Sequence, residues 1–146
     1  MIIFKGKLTK HFSTDEYTVN QTENCNITAE AIKHAEILEE FRTWLGKPMK
    51  VNAWYRTPAY NKKVGGAANS SHLRGVATDW GIAGVSQADF VKYAKKWKAL
   101  CKKHGVVGEA GLYTWGIHLG SHITYSKTFY NWDSRSGKQV NKPFKI

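Results

Sequence analysis

Apolar residues recur at intervals of three and four in two long segments, the spacing of a helix that packs one face against a core. The first segment predicts a helix over residues 28–45. Gly46 and Pro48 follow it, and both residues favour helix termination. The predicted buried face consists of Ala31, Ile32, Ala35, Leu38, Phe41 and Leu45.

The second segment predicts a helix over residues 86–104. Ser86 and Asp89 resemble a capping box, with Asp in place of the usual Glu, and Gly105 marks the expected end. Lysines occupy most of the other face, which we expect to be exposed to solvent. The predicted buried face consists of Phe90, Ala94, Trp97 and Cys101.

Shorter segments rich in β-branched and aromatic residues predict strands. They cover residues 49–55, 75–82, 106–113 and 116–125. A polar segment, residues 57–74, separates the first two strands and is too long for a simple connection, so a functional loop is expected there. The order of elements predicts an α+β fold, a small and mostly antiparallel sheet with helices packed on it. We expect a single domain over residues 1–146.

The composition is that of a globular domain except for its charge. The 146 residues include 22 Lys and Arg against 11 Asp and Glu, a formal net charge of +11. Such a balance favours an anionic partner, such as nucleic acid, an acidic membrane surface or a cell-wall polymer, although a basic solvated surface would give the same count. No nucleic-acid-binding motif accompanies the charge, so no nucleic acid partner is expected.

The apolar runs indicate no membrane segment, and the cysteines indicate no metal site. The first apolar run, residues 1–4, is too short for a signal peptide or a membrane span, and neither is expected. Cys25 and Cys101 lie far apart and match no metal-binding spacing. We expect both to be reduced, with one disulfide as the alternative.

Candidate metal ligands lie around the end of the long polar segment. His72 ends that segment and Asp79 lies within the next predicted strand, so the two side chains can converge. Imidazole and carboxylate are two of the three protein ligands that a catalytic zinc takes. Alternate residues of a strand share a face, so His118 and His122 are both candidates for the third ligand.

Several motifs resemble those of a known family. The sequence reads YRTPAYN at residues 55–61, VGGA at residues 64–67 and SSHLRGVATD at residues 70–79. Together with LTKHFSTDEY at residues 8–17, these segments resemble the zinc D-alanyl-D-alanine carboxypeptidases, a family that includes the L-alanyl-D-glutamate endopeptidases of phage endolysins. The resemblance extends over residues 8–120. It implies the fold of that family, the hedgehog/D-Ala-D-Ala peptidase type.

The resemblance also implies a site. His72, Asp79 and His118 match the residues that hold Zn²⁺, and Arg56 matches an arginine that helps to hold the substrate. A guanidinium suits that role because it binds a carboxylate or carbonyl through two parallel hydrogen bonds. Ser70 matches the serine of the motif, which contacts substrate or supports a ligand; a simple turn residue is the alternative.

The sequence departs from this family where a proton must be transferred. Family members place a carboxylate three residues before the last histidine or two after it, where this chain has Trp115 and Gly120. Glu109, on the preceding predicted strand, is the first candidate for the general acid/base. His122 is the second candidate and Asp133 the third. The remaining alternative is that no group does this work.

Aromatic residues cluster near the expected site. They are Trp54, Tyr55, Trp80, Tyr113 and Trp115. Core packing of a small sheet is one interpretation, and a cleft wall against the sugar or peptide of a wall fragment is the other. Tyr113 and Trp115 are predicted to contact the substrate.

The expected function is zinc-dependent hydrolysis of peptide bonds in peptidoglycan stem peptides. Both a D-Ala-D-Ala carboxypeptidase and an endolysin-like L-Ala-D-Glu endopeptidase remain open, and the alternative is a zinc-containing wall-binding module without activity. The expected partners are peptidoglycan peptides and the anionic cell wall, with the protein as a monomer. We expect it to be made in the cytoplasm of a host bacterium and to act on the wall as a phage lysin or virion component.

Overall fold

The computed structural model describes residues 6–21, 26–81, 87–135 and 143–146. These residues form an α+β fold of four helices and one five-stranded sheet, with short 3₁₀ turns at Ser71–Arg74 and Gln87–Asp89. The helices are α1 (Thr14–Tyr17), α2 (Ala29–Leu45), α3 (Pro58–Lys63) and α4 (Phe90–Lys103). The strands are β1 (Lys50–Ala53), β2 (Ala77–Gly81), β3 (Glu109–Leu112), β4 (Ile117–Gly120) and β5 (Tyr130–Asp133).

The sheet has the strand order β1-β2-β4-β3-β5. Every neighbouring pair is antiparallel except β3 and β5, which are parallel. The predicted α+β class with a mostly antiparallel sheet is therefore confirmed. The fifth strand was not predicted, because four residues without strong alternation give little local signal and a parallel partner lies far away in the chain.

Helix α2 begins and ends where the sequence predicts. The Thr28 side chain accepts a hydrogen bond from Ala31 N at 2.9 Å, and Gly46 adopts the left-handed conformation at the end, with φ 70°. The predicted buried face needs one correction: Ile32 is exposed, whereas His34 and Ile37 are buried.

Helix α4 is shorter than predicted. Asp89 makes no side-chain capping bond, and its proposed partner Ser86 lies outside the described residues. The buried face includes Phe90, Trp97 and Cys101 as expected. Trp97 Nε1 donates to the Gly120 carbonyl at 2.7 Å and so ties α4 to the end of β4.

A cluster of aromatic rings joins the helices to the sheet. The Phe41 ring of α2 lies 5.6 Å from Trp80 of β2, and 6.3 and 6.0 Å from Tyr93 and Trp97 of α4. Trp54 and Trp80 are fully buried in this core, so core packing is the correct interpretation for both. Cys101, a buried free thiol, lies here too, whereas Cys25 lies outside the described residues.

The segment expected to be a long loop contains two short helical pieces. Pro58 occupies the first turn of α3, and the Thr57 side chain accepts a hydrogen bond from Tyr60 N at 3.2 Å. The 3₁₀ turn Ser71–Arg74 ends at Gly75, with φ 71°, where a Cβ would overlap the Tyr17 hydroxyl. No helix in the described part of the chain has the length and apolarity to cross a bilayer.

Candidate active site

Three elements bring the candidate metal ligands together. His72 lies in the 3₁₀ turn that leads into β2, and Asp79 and His118 are direct cross-strand partners on β2 and β4. Side chains of directly opposed residues point to the same face of a sheet. One donor atom from each of the three residues lies within 4.8 Å of the other two, and all three residues are buried.

The contacts within this cluster set the orientation of each imidazole. His72 Nδ1 lies 2.6 Å from the Trp54 carbonyl, which can only accept, so Nδ1 carries the proton. Nε2 of His72 then lies 3.2 Å from Asp79 Oδ2. A backbone acceptor that fixes the tautomer is the usual support of a metal-binding histidine.

His118 lies between two carboxylates. Its Nδ1 donates to Asp79 Oδ1 at 2.7 Å and its Nε2 donates to Glu109 Oε2 at 2.6 Å. Burial alone would lower the pKa of His118, but the charges of Glu109 and Asp79 outweigh burial and raise that pKa to about 10. Burial would raise the pKa of Asp79, but His72 and His118 hold it far below its ordinary value.

Two buried carboxylates, Asp79 and Glu109, flank His118, and buried carboxylates favour a cation as their partner. Two imidazoles and one carboxylate with converging donor atoms fit zinc, which takes three protein ligands in catalytic sites and leaves a fourth position open. His72, Asp79 and His118 are the residues that would hold it.

Glu109 reaches the cluster from β3. It is the direct partner of Gly120 on β4, and a Cβ built on Gly120 would lie only 2.5 Å from Glu109 Cγ. The absent side chain at position 120 thus leaves the space that the Glu109 carboxylate occupies. One oxygen of Glu109 contacts His118, and Oε1 has no partner among the described residues.

An open cleft of about 470 Å³ lies over the cluster. Its lining includes the predicted substrate-binding residues Arg56, Ser70, Tyr113 and Trp115. The Tyr113 and Trp115 rings stack at 4.8 Å with 15° between their planes. These two aromatic residues therefore lie in the cleft, unlike the buried Trp54 and Trp80.

Arg56 lies beside the ligand cluster. Its Nη2 is 3.6 Å from Asp79 Oδ2, and its Nη1 donates to Asn61 Oδ1 at 3.4 Å. Its Nε is buried and has no partner among the described residues. Ser70 has a local role in the structure, since its side chain accepts a hydrogen bond from His72 N at 3.3 Å.

His122 does not lie on the His118 face, contrary to the strand expected over residues 116–125. Strand β4 ends at Gly120, and His122 has φ 56°, in the left-handed region, which breaks the alternation of side chains. Its Nδ1 contacts Ser121 Oγ at 2.9 Å. Asp133 pairs with Arg135, with Nη2–Oδ2 at 2.8 Å, and is not part of the cleft lining.

Residues beyond the predicted motifs complete the cleft. Trp132 of β5 lies with its ring 5.2 Å from His118, and its Nε1 donates to the Tyr113 hydroxyl at 2.8 Å. Tyr125 and Tyr130 also line the cleft. The position of these residues depends on strand β5, which was not predicted, so only their aromatic character could have signalled a role.

A buried donor set of this kind on the floor of an open cleft is typical of zinc hydrolases. A family model described as Peptidase M15 matches residues 10–118, which is most of the chain. The chain belongs to the Peptidase M15 family, and the resemblance of its motifs to the zinc D-Ala-D-Ala carboxypeptidases is confirmed at the family level. No curated protein matches the chain.

Proposed function

We propose that this protein hydrolyses peptide bonds in peptidoglycan stem peptides, with zinc held by His72, Asp79 and His118. The observation that carries the proposal is the convergence of these three buried side chains beneath an open cleft, in a chain of the Peptidase M15 family. When bound, zinc supplies a Lewis acid that polarises the scissile carbonyl and activates water.

Glu109 is the general acid/base in this proposal. His118 fixes one oxygen of its carboxylate, while Oε1 has no partner among the described residues and belongs to a side chain that lines the cleft. A carboxylate held in this way takes a proton from the attacking water and returns it to the leaving amine. Gly120 stands two residues after His118, where family members can have a carboxylate, and Glu109 lies directly across from it on β3. In this proposal the Glu109 carboxylate takes the place of the missing one.

Other cleft residues bind and orient the peptide. Arg56 pairs with a carboxylate or carbonyl of the substrate, because its guanidinium lines the cleft beside Asp79 and its Nε has no partner among the described residues. Tyr113 and Trp115 form one wall of the cleft. Ser70 supports His72 through its hydrogen bond to the backbone of that residue.

The net charge of +11 supports action on an anionic cell wall. A phage lysin or a virion component is the setting we propose for that action. The alternative function is a zinc-containing wall-binding module that does not turn over. The observation that favours it is the presence of Trp115 and Gly120 where the family's carboxylate is expected.

Digestion of defined muropeptides, analysed by mass spectrometry, tests the proposal. Cleaved stem peptide should form with zinc and disappear when a chelator removes the metal. Activity that survives metal removal contradicts the proposal, whereas stoichiometric zinc and muropeptide binding without product supports the binding module.

Glu109→Gln should lower kcat by about 10²–10⁴-fold, the usual contribution of a general acid/base. Glu36→Gln, at an exposed glutamate of α2, is the matched control.

A further inference from the structure

Exposed apolar side chains are concentrated in the cleft. In the described part of the chain, six large apolar side chains are exposed: Ile32, Trp44, Val64, Trp115, Tyr125 and Tyr130. The last four of these line the cleft over the ligand cluster. Exposed apolar side chains that form one contiguous patch commonly mark a ligand-binding site. Tyr125 and Tyr130 are 45% and 37% exposed, and the chemistry proposed above gives neither a role.

Tyr125, Tyr130 and Trp132 form a continuous surface that we name the aromatic ledge. Ring centroids lie 5.8 Å apart between Tyr125 and Tyr130, and 5.6 Å apart between Tyr130 and Trp132. Trp132 then contacts the His118 ring at 5.2 Å. Strand β5 carries two of the three rings and pairs with β3, so the ledge has a fixed position beside the ligand cluster.

The charged residues of the cleft are separate from the aromatic ledge. A hollow of about 330 Å³ adjoins the cleft and contains Arg56, Val64 and Trp115, but none of the ledge residues. No ledge residue is charged, and all charged residues of the cleft lining belong to the ligand cluster or are Arg56 and Glu109. The cleft therefore offers both a cation, Arg56, and a separate group of uncharged aromatic rings.

We propose that the aromatic ledge binds a saccharide ring that the substrate carries close to the scissile bond. A sugar presents apolar C–H faces that stack on aromatic rings, while its hydroxyls stay in water or bond to the tyrosine hydroxyls. The inference rests on the proposed function, because that function places the ledge beside the bond to be cleaved.

The position of the ledge selects among the bonds of a stem peptide. An extended residue spans about 3.3–3.6 Å. The L-Ala-D-Glu bond is separated from the amino sugar by one alanine and a lactyl group, or about 7 Å on this scale, whereas the D-Ala-D-Ala bond lies about 17 Å or more from it. The Tyr130 ring contacts Trp132, and the Trp132 ring contacts His118. This short path from ledge to ligand cluster fits the L-Ala-D-Glu bond better than the more distant D-Ala-D-Ala bond. The D-glutamate beyond that bond carries a free carboxylate, which suits Arg56.

The test compares two substrates that share the L-Ala-D-Glu bond, a disaccharide-linked tetrapeptide and the same tetrapeptide without sugar. Wild type should have a kcat/KM about tenfold higher for the saccharide-linked substrate, since ring contacts of this kind are individually modest. Tyr125→Ala and Tyr130→Ala should reduce that ratio towards one, and Tyr130→Phe should retain most of it. Trp44→Ala, at an exposed tryptophan of α2 outside the cleft, should leave the ratio unchanged.

A ratio near one in wild type, or a ratio unaffected by both alanine variants, overturns the ledge while the peptidase proposal stands. If neither substrate is cleaved, the peptidase proposal fails. The proposal for the ledge is then tested by NMR, which monitors binding of the free disaccharide. Chemical-shift changes that Tyr130→Ala abolishes and Trp44→Ala preserves support the ledge. No change in wild type overturns it.

Discussion

At the scale of single residues, the site depends on a glutamate and a glycine that face each other across two strands. The Glu109 carboxylate lies across from Gly120 and accepts a hydrogen bond from His118 Nε2. Any side chain at position 120 would occupy the same space. A carboxylate can therefore reach this space from a side chain at position 109 or from one at position 120.

Exchanging the two residues tests this geometry. Glu109→Ala should lower kcat/KM by about 10²–10⁴-fold, because the proposed general acid/base is lost. Adding Gly120→Asp to that variant should recover at least about tenfold, since an aspartate at position 120 points into the space that Glu109 has left. Steady-state kinetics on a muropeptide measure both effects. A double variant no better than Glu109→Ala contradicts the exchange.

His34 is a second residue whose environment has a measurable consequence. Burial, followed by the nearby charges of other histidines, lowers its pKa well below 6.5. The folded protein keeps His34 neutral, bonded to Ser121 Oγ at 2.8 Å and Thr78 Oγ1 at 3.0 Å, whereas the unfolded chain takes up a proton below its ordinary pKa. Stability is therefore lost as the pH falls below about 6.5.

We expect His34→Gln to remove this dependence. Between pH 6 and pH 4.5, the free energy of unfolding of wild type should fall more steeply than that of the variant, by up to about 1.4 kcal/mol per pH unit. Urea unfolding at a series of pH values measures the difference. Parallel pH profiles for the two proteins would show that His34 titrates normally in the fold.

At the scale of elements, strand β5 supplies part of the wall of the candidate active-site cleft. Its parallel pairing sets Trp132 beside Gly111 of β3. A Cβ on Gly111 would lie 2.3 Å from the indole, so the glycine is needed for the ring to approach the strand. The indole in turn packs against His118.

Gly111→Ala should displace Trp132 and loosen the cover over His118. We expect a fall in kcat/KM of about tenfold or more, in keeping with the loss of a positioned group at an active site, together with a change in tryptophan fluorescence. Gly6→Ala is the matched control, since a Cβ at Gly6 would contact nothing within 4 Å. Unchanged fluorescence and activity in Gly111→Ala would show that Trp132 does not depend on this glycine.

Prediction from the sequence succeeded where the signal was local. The 3.6-residue periodicity located α2, and the motif around His72 and Asp79 located the end of the long segment and the start of β2. It failed where position depends on distant pairing. Strand β5 is defined by its contact with β3, and the end of β4 at Gly120 placed His122 away from the expected face.

At the scale of the whole molecule, the candidate metal site is a product of tertiary structure. Its ligands come from a 3₁₀ turn and two strands, and only the register that pairs Asp79 with His118 brings their side chains together. The motifs indicated which residues to expect, but not the contact of Glu109 with His118 or the aromatic ledge. Both require the sheet to be assembled.

The most direct test of the account is the zinc content of the purified protein, measured by elemental analysis after dialysis against dilute zinc. Wild type and Asp15→Asn, a variant at an exposed aspartate of α1, should each retain one zinc per chain, whereas Asp79→Asn should retain none. Circular dichroism checks that all three proteins are folded. A wild type without zinc, or an Asp79→Asn variant that still binds one equivalent, would contradict the metal site on which the proposed function rests.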